Sequence, residues 1–358
     1  MKKFVKLSLA AAVATAGLTS TASAVSLEEA IKGVDISGQF RYRMQDRQAD
    51  GATLNAGEST NATDVEVEIG VKVPVNDMVT AVFKIDAAPN TADNATNNDV
   101  LTVEDYYFAY ANGAVSATFG MQNIPGRLTD GVQGNGLVAL YNTGAGVTVG
   151  AAWFNDHRAG TAEEQDAKSV IAMGNVGPVS FMAQYVDVLD TLDSYNLKAD
   201  TKVGPLSLGV EYSETGFDAN NTDNSTLTAY ASTTIEKVSL KASYASTGDD
   251  NSGSLHANTD VWANSVETPS EWLLWQLGTA TNGDMDVVAI DASYPVTDKI
   301  TVRGAYADGD IAGTDATETL GQVTYKMSKN LSAYLRLSNL EVGTNESDRG
   351  RIEVAYKF

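Results

Sequence analysis

From Val34 to the final residue, polar and apolar side chains alternate almost without interruption. Asp35, Ser37, Gln39, Arg41 and Arg43 interleave with Ile36, Gly38, Phe40, Tyr42 and Met44. At the far end Arg351, Glu353, Ala355 and Lys357 interleave with Ile352, Val354, Tyr356 and Phe358. Successive side chains of a strand point to opposite faces, so a period of two predicts strands that are apolar on one side and polar on the other. The pattern predicts strands at 34–44, 63–73, 79–87, 101–111, 114–122, 137–141, 146–155, 168–175 and 179–189. It predicts further strands at 194–202, 206–213, 226–235, 238–245, 286–294, 300–307, 317–327, 331–340 and 349–358. That makes about eighteen, or sixteen if 137–141 and one neighbour belong to loops.

The connections come in two kinds. Short turns are expected at 74–77, 112–113, 175–178, 204–205, 236–237, 295–298 and 328–330, and longer polar loops at 88–98, 216–225 and 248–285. Short turns on one side and long loops on the other are the asymmetry of an outer-membrane barrel. Strands cross hydrocarbon only as a closed sheet, because an unpaired backbone group there costs several kcal/mol. The expected fold is therefore all-β: a transmembrane antiparallel up-and-down β-barrel. A wall of this many strands is too wide for side chains to fill. The faces assigned to the interior carry Arg41, Arg43, Glu66, Glu68, Lys72, Lys84, Lys198, Asp200, Lys241, Arg303 and Arg336, which suits water and not a dry apolar cavity. Tyr42, Tyr110, Tyr212, Tyr244, Tyr294, Tyr306, Tyr325 and Tyr356 lie near strand ends, where aromatic girdles form.

The beginning of the chain fits export. Lys2, Lys3 and Lys6 precede an apolar run too short to span a bilayer, and Ala22-Ser23-Ala24 offers a small-residue cleavage site. Residues 1–24 are read as a signal peptide and 25–358 as the barrel. Cysteine is absent and there are two histidines, which excludes disulfides, thiol nucleophiles and histidine-rich metal sites. Lys+Arg number 24 against Asp+Glu 46, a net charge of −22 that makes nucleic acid an unsuitable partner. Two stretches depart from the strand period. Residues 26–33 have a capping-box pattern ending at Gly33. Residues 268–277 have a cap, an early proline and an apolar face, predicting a helix in the longest loop. With Trp262 that stretch holds three of the four tryptophans, and packing over the pore mouth or a neighbouring subunit is favoured over a surface contact for other molecules.

Motif-like strings elsewhere carry little chemistry. Asp308-Gly309-Asp310 and Asp249-Asp250-Asn251 lack the spacing of a calcium loop and are expected to be loop tips. Gly144-Ala145-Gly146 is expected to be a hairpin turn, and Asp156-His157 has no serine motif to complete a hydrolytic triad, so no enzyme is expected. The stretch Gly120–Gly136, reading GMQNIPGRLTDG and later GNG, has a proline and several glycines and is expected to be a sharply turning loop after the fifth strand.

That stretch, the SLEEAIKGVDISGQFRYR start at 26–43 and the Phe358 terminus together resemble the major outer membrane porins of Campylobacter and its relatives. The resemblance implies an 18-stranded homotrimer in outer-membrane lipid, loops extracellular and both termini periplasmic, with the third loop folded into the lumen. It implies that Arg127 and Asp130 lie on the constriction loop, facing wall residues such as Arg41 and Arg43. It also implies a Ca²⁺ ion between acidic groups, for which Asp130 and Asp156 are the pair at hand. The expected function is general diffusion of small hydrophilic solutes and ions, mildly cation-selective given the surplus carboxylate. A plugged structural or adhesive barrel and a substrate-selective channel are the alternatives.

Overall fold

The alternating segments become eighteen strands. The computed structural model describes residues 32–50, 59–89, 99–128, 133–157, 166–218, 222–249, 274–279 and 283–358. The strands are β1 (Asp35–Asp50), β2 (Ser59–Pro74), β3 (Val79–Pro89), β4 (Asp99–Asn112), β5 (Val115–Asn123), β6 (Gln133–Asn142), β7 (Val147–His157), β8 (Ala167–Val176) and β9 (Val179–Val188). They continue as β10 (Leu192–Val203), β11 (Leu206–Phe217), β12 (Thr222–Ile235), β13 (Val238–Thr247), β14 (Met285–Pro295), β15 (Ile300–Ile311), β16 (Thr314–Lys326), β17 (Leu331–Val342) and β18 (Asn345–Lys357). Each pairs antiparallel with its sequence neighbours, and β1 pairs with both β2 and β18, so the sheet closes on itself. At the seam the N–H groups of Gly38 and Phe358 each donate to the other's carbonyl at 3.0 Å, and the Phe358 ring stacks on Tyr356 with centroids 6.0 Å apart.

Eighteen strands settle the count above sixteen, because 137–141 is part of a full strand, β6. Most strands run further towards the loop side than the alternation suggested. Gly120–Asn123 belong to β5 and Gln133–Gly136 to β6, so the loop between them spans only 124–132. Asp308-Gly309-Asp310 lies within β15 and not at a loop tip, and His157 is the last residue of β7. Ladder pairing with the neighbouring strands overrides a polar, glycine-containing composition here. The expected turns are in place. Gly113, Gly177 and Gly204 open two-residue turns with φ of 59°, 60° and 59°, the left-handed start that fits the twist of a hairpin. The opposite side is less uniform than expected, since 189–191, 312–313 and 343–344 are also short.

The two faces of the wall differ as a lipid boundary requires. Phe40, Met44, Phe108, Phe119, Leu197, Ile290, Leu337 and Ile352 stand exposed on the outside. Near the loop side, outward tyrosines are tied to carboxylates: Tyr195 and Tyr212 both donate to Glu214 (2.9 and 2.6 Å), Tyr244 to Asp286 and Tyr306 to Asp308. Apolar rings with a wet hydroxyl end suit the interface. Among the described residues there is no helix. Leu274–Thr279 is a run of bends, and residues 268–273 lie outside the described residues, as do residues 1–31, which include the expected signal peptide and nearly all of the capping-box stretch.

Candidate functional site

The inner face holds the chemistry. On β1 and β18, Arg43 is buried in the wall and its guanidinium donates twice to Glu353 (2.9 and 2.7 Å), which also accepts from the Tyr334 hydroxyl at 3.1 Å. Arg41 pairs with Glu66 on β2. Further round, Lys84 on β3 bridges Glu68 and Glu104 at 2.7 Å each. Glu104 reaches the interior because β4 carries an extra residue opposite Lys84/Ile85; the bulge re-aims it while Val103 turns outward. The inward carboxylates of β2–β4 (Asp64, Glu66, Glu68, Asp86, Glu104, Asp105) thus stand beside a basic row on β17, β18 and β1.

That row is dense. Arg336 of β17 lies directly opposite Arg351 of β18, and Arg349 of β18 directly opposite Arg47 of β1. Like charges so placed repel. Gln45 relieves part of this, its side-chain oxygen accepting from Arg349 at 3.2 Å and from Arg351 at 2.9 Å.

Two segments leave the loop side and fold onto the inner wall. The first is the described start of the third loop, 124–128. Ile124 packs with Val138, Ala152, Phe154 and Ala167, and Leu128 is equally buried. Gln184 on β9 accepts the Leu128 N–H (3.1 Å) and donates to the Pro125 carbonyl (3.3 Å). Gly126 adopts a φ of 134° against that side chain, where a Cβ would fall 2.2 Å from Gln184 atoms. Arg127 forms a two-pronged pair with Glu211 on β11, both contacts 3.1 Å, and Asn196 on β10 donates to the same carboxylate at 2.8 Å. Arg127 is therefore turned to β11, whereas Arg41 and Arg43 are tied to β2 and β18; the expected facing of these three groups is replaced by separate carboxylate partners. Asp130 lies outside the described residues, as does the side chain of Asp156, whose backbone is in β7.

The second segment is 274–279. Glu318 on β16, with no exposed surface, accepts the backbone N–H groups of Trp275 (3.0 Å), Gln276 (3.0 Å) and Leu277 (2.8 Å) and the Ser338 hydroxyl (2.5 Å). Gln276 donates to Ser338 Oγ (3.1 Å) and to the Ser347 carbonyl (3.0 Å). Leu274 and Leu277 bury themselves against inward Val287, Ala289, Ala305, Ala307 and Leu320. The Trp275 ring then lies against Arg349, Arg351 and Arg336, whose guanidinium carbons are 4.4, 4.9 and 5.1 Å from its centroid. Anchors on β9–β11 and β16–β18 are seven strands apart (β10 to β17) in a wall of eighteen, so the lumen is narrowed from nearly opposite sides. The sequence reading did not single out Glu211, Glu318 or Gln184, and nothing in their sequence neighbourhood announced these partners; Trp275 was flagged only as part of a helix.

For calcium, the described residues offer one acidic trio, Glu68, Asp86 and Glu104, whose oxygens converge within 4.8 Å. Lys84 already sits between two of them, and three carboxylates supply few of the 6–8 oxygens that Ca²⁺ takes. This trio does not fit the ion.

Residues 1–180 match the family described as Campylobacter major outer membrane protein. The chain belongs to that family. It is an outer-membrane porin. No curated protein matches the sequence. Solved structures share the porin's fold at low identity. Acinetobacter baumannii OccAB4 is 11% identical with a TM-score of 0.74, covering 91% of this chain and 98% of its own. Pseudomonas aeruginosa OpdQ is 13% identical with a TM-score of 0.74, covering 92% and 99%. Pseudomonas aeruginosa OpdK, solved with vanillate, is 13% identical with a TM-score of 0.68, covering 90% and 98%.

Proposed function

We propose that this porin lets small hydrophilic solutes and ions diffuse through a water-filled pore, with a mild preference for cations. The observation that carries the reading is the charged inner face, on which Arg41, Arg43, Lys84, Arg127 and Arg303 are held by wall carboxylates. Such a surface needs water beside it, and paired groups attract neither ion strongly. The net charge of −22 supplies the cation bias by concentrating cations at the mouth. On this reading Arg127, Asp130, Arg41 and Arg43 belong to the constriction and the porin is a homotrimer, both supported by the family resemblance. Purified protein in a planar bilayer should give steady stepwise conductance, and a KCl gradient should give a reversal potential of cationic sign. Silence would favour a plugged barrel; anionic sign would overturn the preference.

A second reading is favoured by a specific observation. The arginine row on β17, β18 and β1 suits a carboxylate, and OpdK, similar in fold, was solved with vanillate, a small aromatic carboxylate. On this reading the pore selects such solutes. Millimolar vanillate should then interrupt the open current in a saturable way, whereas a general pore would carry on undisturbed.

A further inference from the structure

We propose that Trp275 is a specificity-determining residue: its ring covers Arg336, Arg349 and Arg351 and withholds their charge from passing anions, while Glu318 positions the ring. The proposal rests on the open-pore reading above. Three guanidiniums within 4.4–5.1 Å of one ring centroid are an unusual convergence, since an aromatic face offers quadrupolar attraction and no countercharge. Cross-strand Arg336 and Arg351 would otherwise present two like charges side by side to the lumen. An indole between them and the water sets the distance of closest approach. Coulomb energy falls as the inverse of distance, so holding an anion about 8 Å rather than about 4 Å from a guanidinium halves the attraction, and salt screening lowers it further.

The ring is held there by backbone, not chance. Glu318 receives three consecutive N–H groups, and Gln276 locks onto Ser338 and Ser347. A buried carboxylate gripping the chain at the residue of interest and its two followers fixes where the side chain points. Among the described residues of the row, Arg47 on β1 is exposed, its Nε donating to Ser347 Oγ at 3.3 Å.

The test compares wild type with Trp275→Leu, Trp275→Phe and Glu318→Gln as folded barrels in planar bilayers. Folding is checked by heat-modifiable gel mobility. Trp275→Leu should lower the K⁺ over Cl⁻ permeability ratio about twofold. Trp275→Phe, which keeps a ring, should stay near wild type, and Glu318→Gln should shift the ratio in the direction of Trp275→Leu. An unchanged ratio in folded Trp275→Leu overturns the proposal, as does an equal shift in Trp275→Phe and Trp275→Leu. If the leucine variant does not fold, phenylglyoxal labelling of wild type decides: Arg349 should react several-fold more slowly than Arg47, and equal rates overturn the proposal. A silent wild-type barrel would instead sink the open-pore reading, so the two failures are distinguishable.

Discussion

Replacing Arg127 by alanine removes the two-pronged contact that ties the third loop to β11. Two charge-assisted bonds of 3.1 Å are lost, and Glu211, 2% exposed, remains behind. Stranding a buried charge costs about 3–5 kcal/mol. Glu211 is not stranded, because Asn196 still donates at 2.8 Å and Lys198 lies 4.0 Å away. The loss is better set by hydrogen bonds to a charged group, and about 2 kcal/mol is expected for loosening the loop. With about 1.4 kcal/mol per tenfold, undocked excursions should become roughly thirty-fold more frequent. Ile124 and Leu128 stay buried, each contributing about 1.5–3 kcal/mol, so the docked state should remain the major one. Single-channel recording should show brief steps to higher conductance that are rare in wild type. Arg127→Lys should fall between, since an ammonium cannot reproduce the two-pronged contact. A folded Arg127→Ala pore with wild-type conductance and step frequency would refute the assignment of this pair as the loop's anchor.

Gly126→Ala forces a methyl into Gln184 and should produce the same excursions, whereas Gly144→Ala, in an open turn at φ 77°, should leave recordings unchanged and cost about 1–2 kcal/mol in stability. In Glu318→Gln, an amide N–H₂ must face backbone N–H groups, so a spin label at 276 should become more mobile by electron paramagnetic resonance while the barrel stays intact. Phe358→Ala keeps the backbone bonds to Gly38 but loses the ring stacked on Tyr356. The folded yield should drop with no change in the conductance of the protein that does fold. Cation preference should also fade between 0.1 and 1 M KCl, as the screening length shrinks from about 10 to about 3 Å; a salt-independent ratio would argue against a field effect.

A strand count of sixteen to eighteen, the antiparallel order and the two faces were legible from alternation, since period two is imposed by backbone geometry; the full length of β6 decided for eighteen. Strand ends on the loop side were not. Gln133–Gly136 and Asp308–Asp310 have the composition of loops, and only the neighbouring strands' free backbone groups extend the ladder through them. Glu104 shows how the period itself fails: one extra residue in β4 exchanges the faces of Val103 and Glu104, and a bulge depends on the partner strand as much as on its own residues. The site was half visible. Arg41 and Arg43 were placed on the inner face, and Arg127 on the third loop, but its partner Glu211 is 84 residues away. The stretch at 268–277 had every local mark of a helix, yet from Leu274 the chain bends. Glu318, Ser338 and Ser347 satisfy its backbone and side chain from outside, which removes the need for helical bonds.

The sequence by itself determined that this protein is a closed wall between lipid and water, because alternation and the cost of unpaired backbone in hydrocarbon leave no other arrangement. Which side chains narrow the opening was decided by tertiary structure alone. Glu211 and Glu318 act on segments far from them along the chain, and closing the barrel is what brings those segments across the lumen to opposite walls.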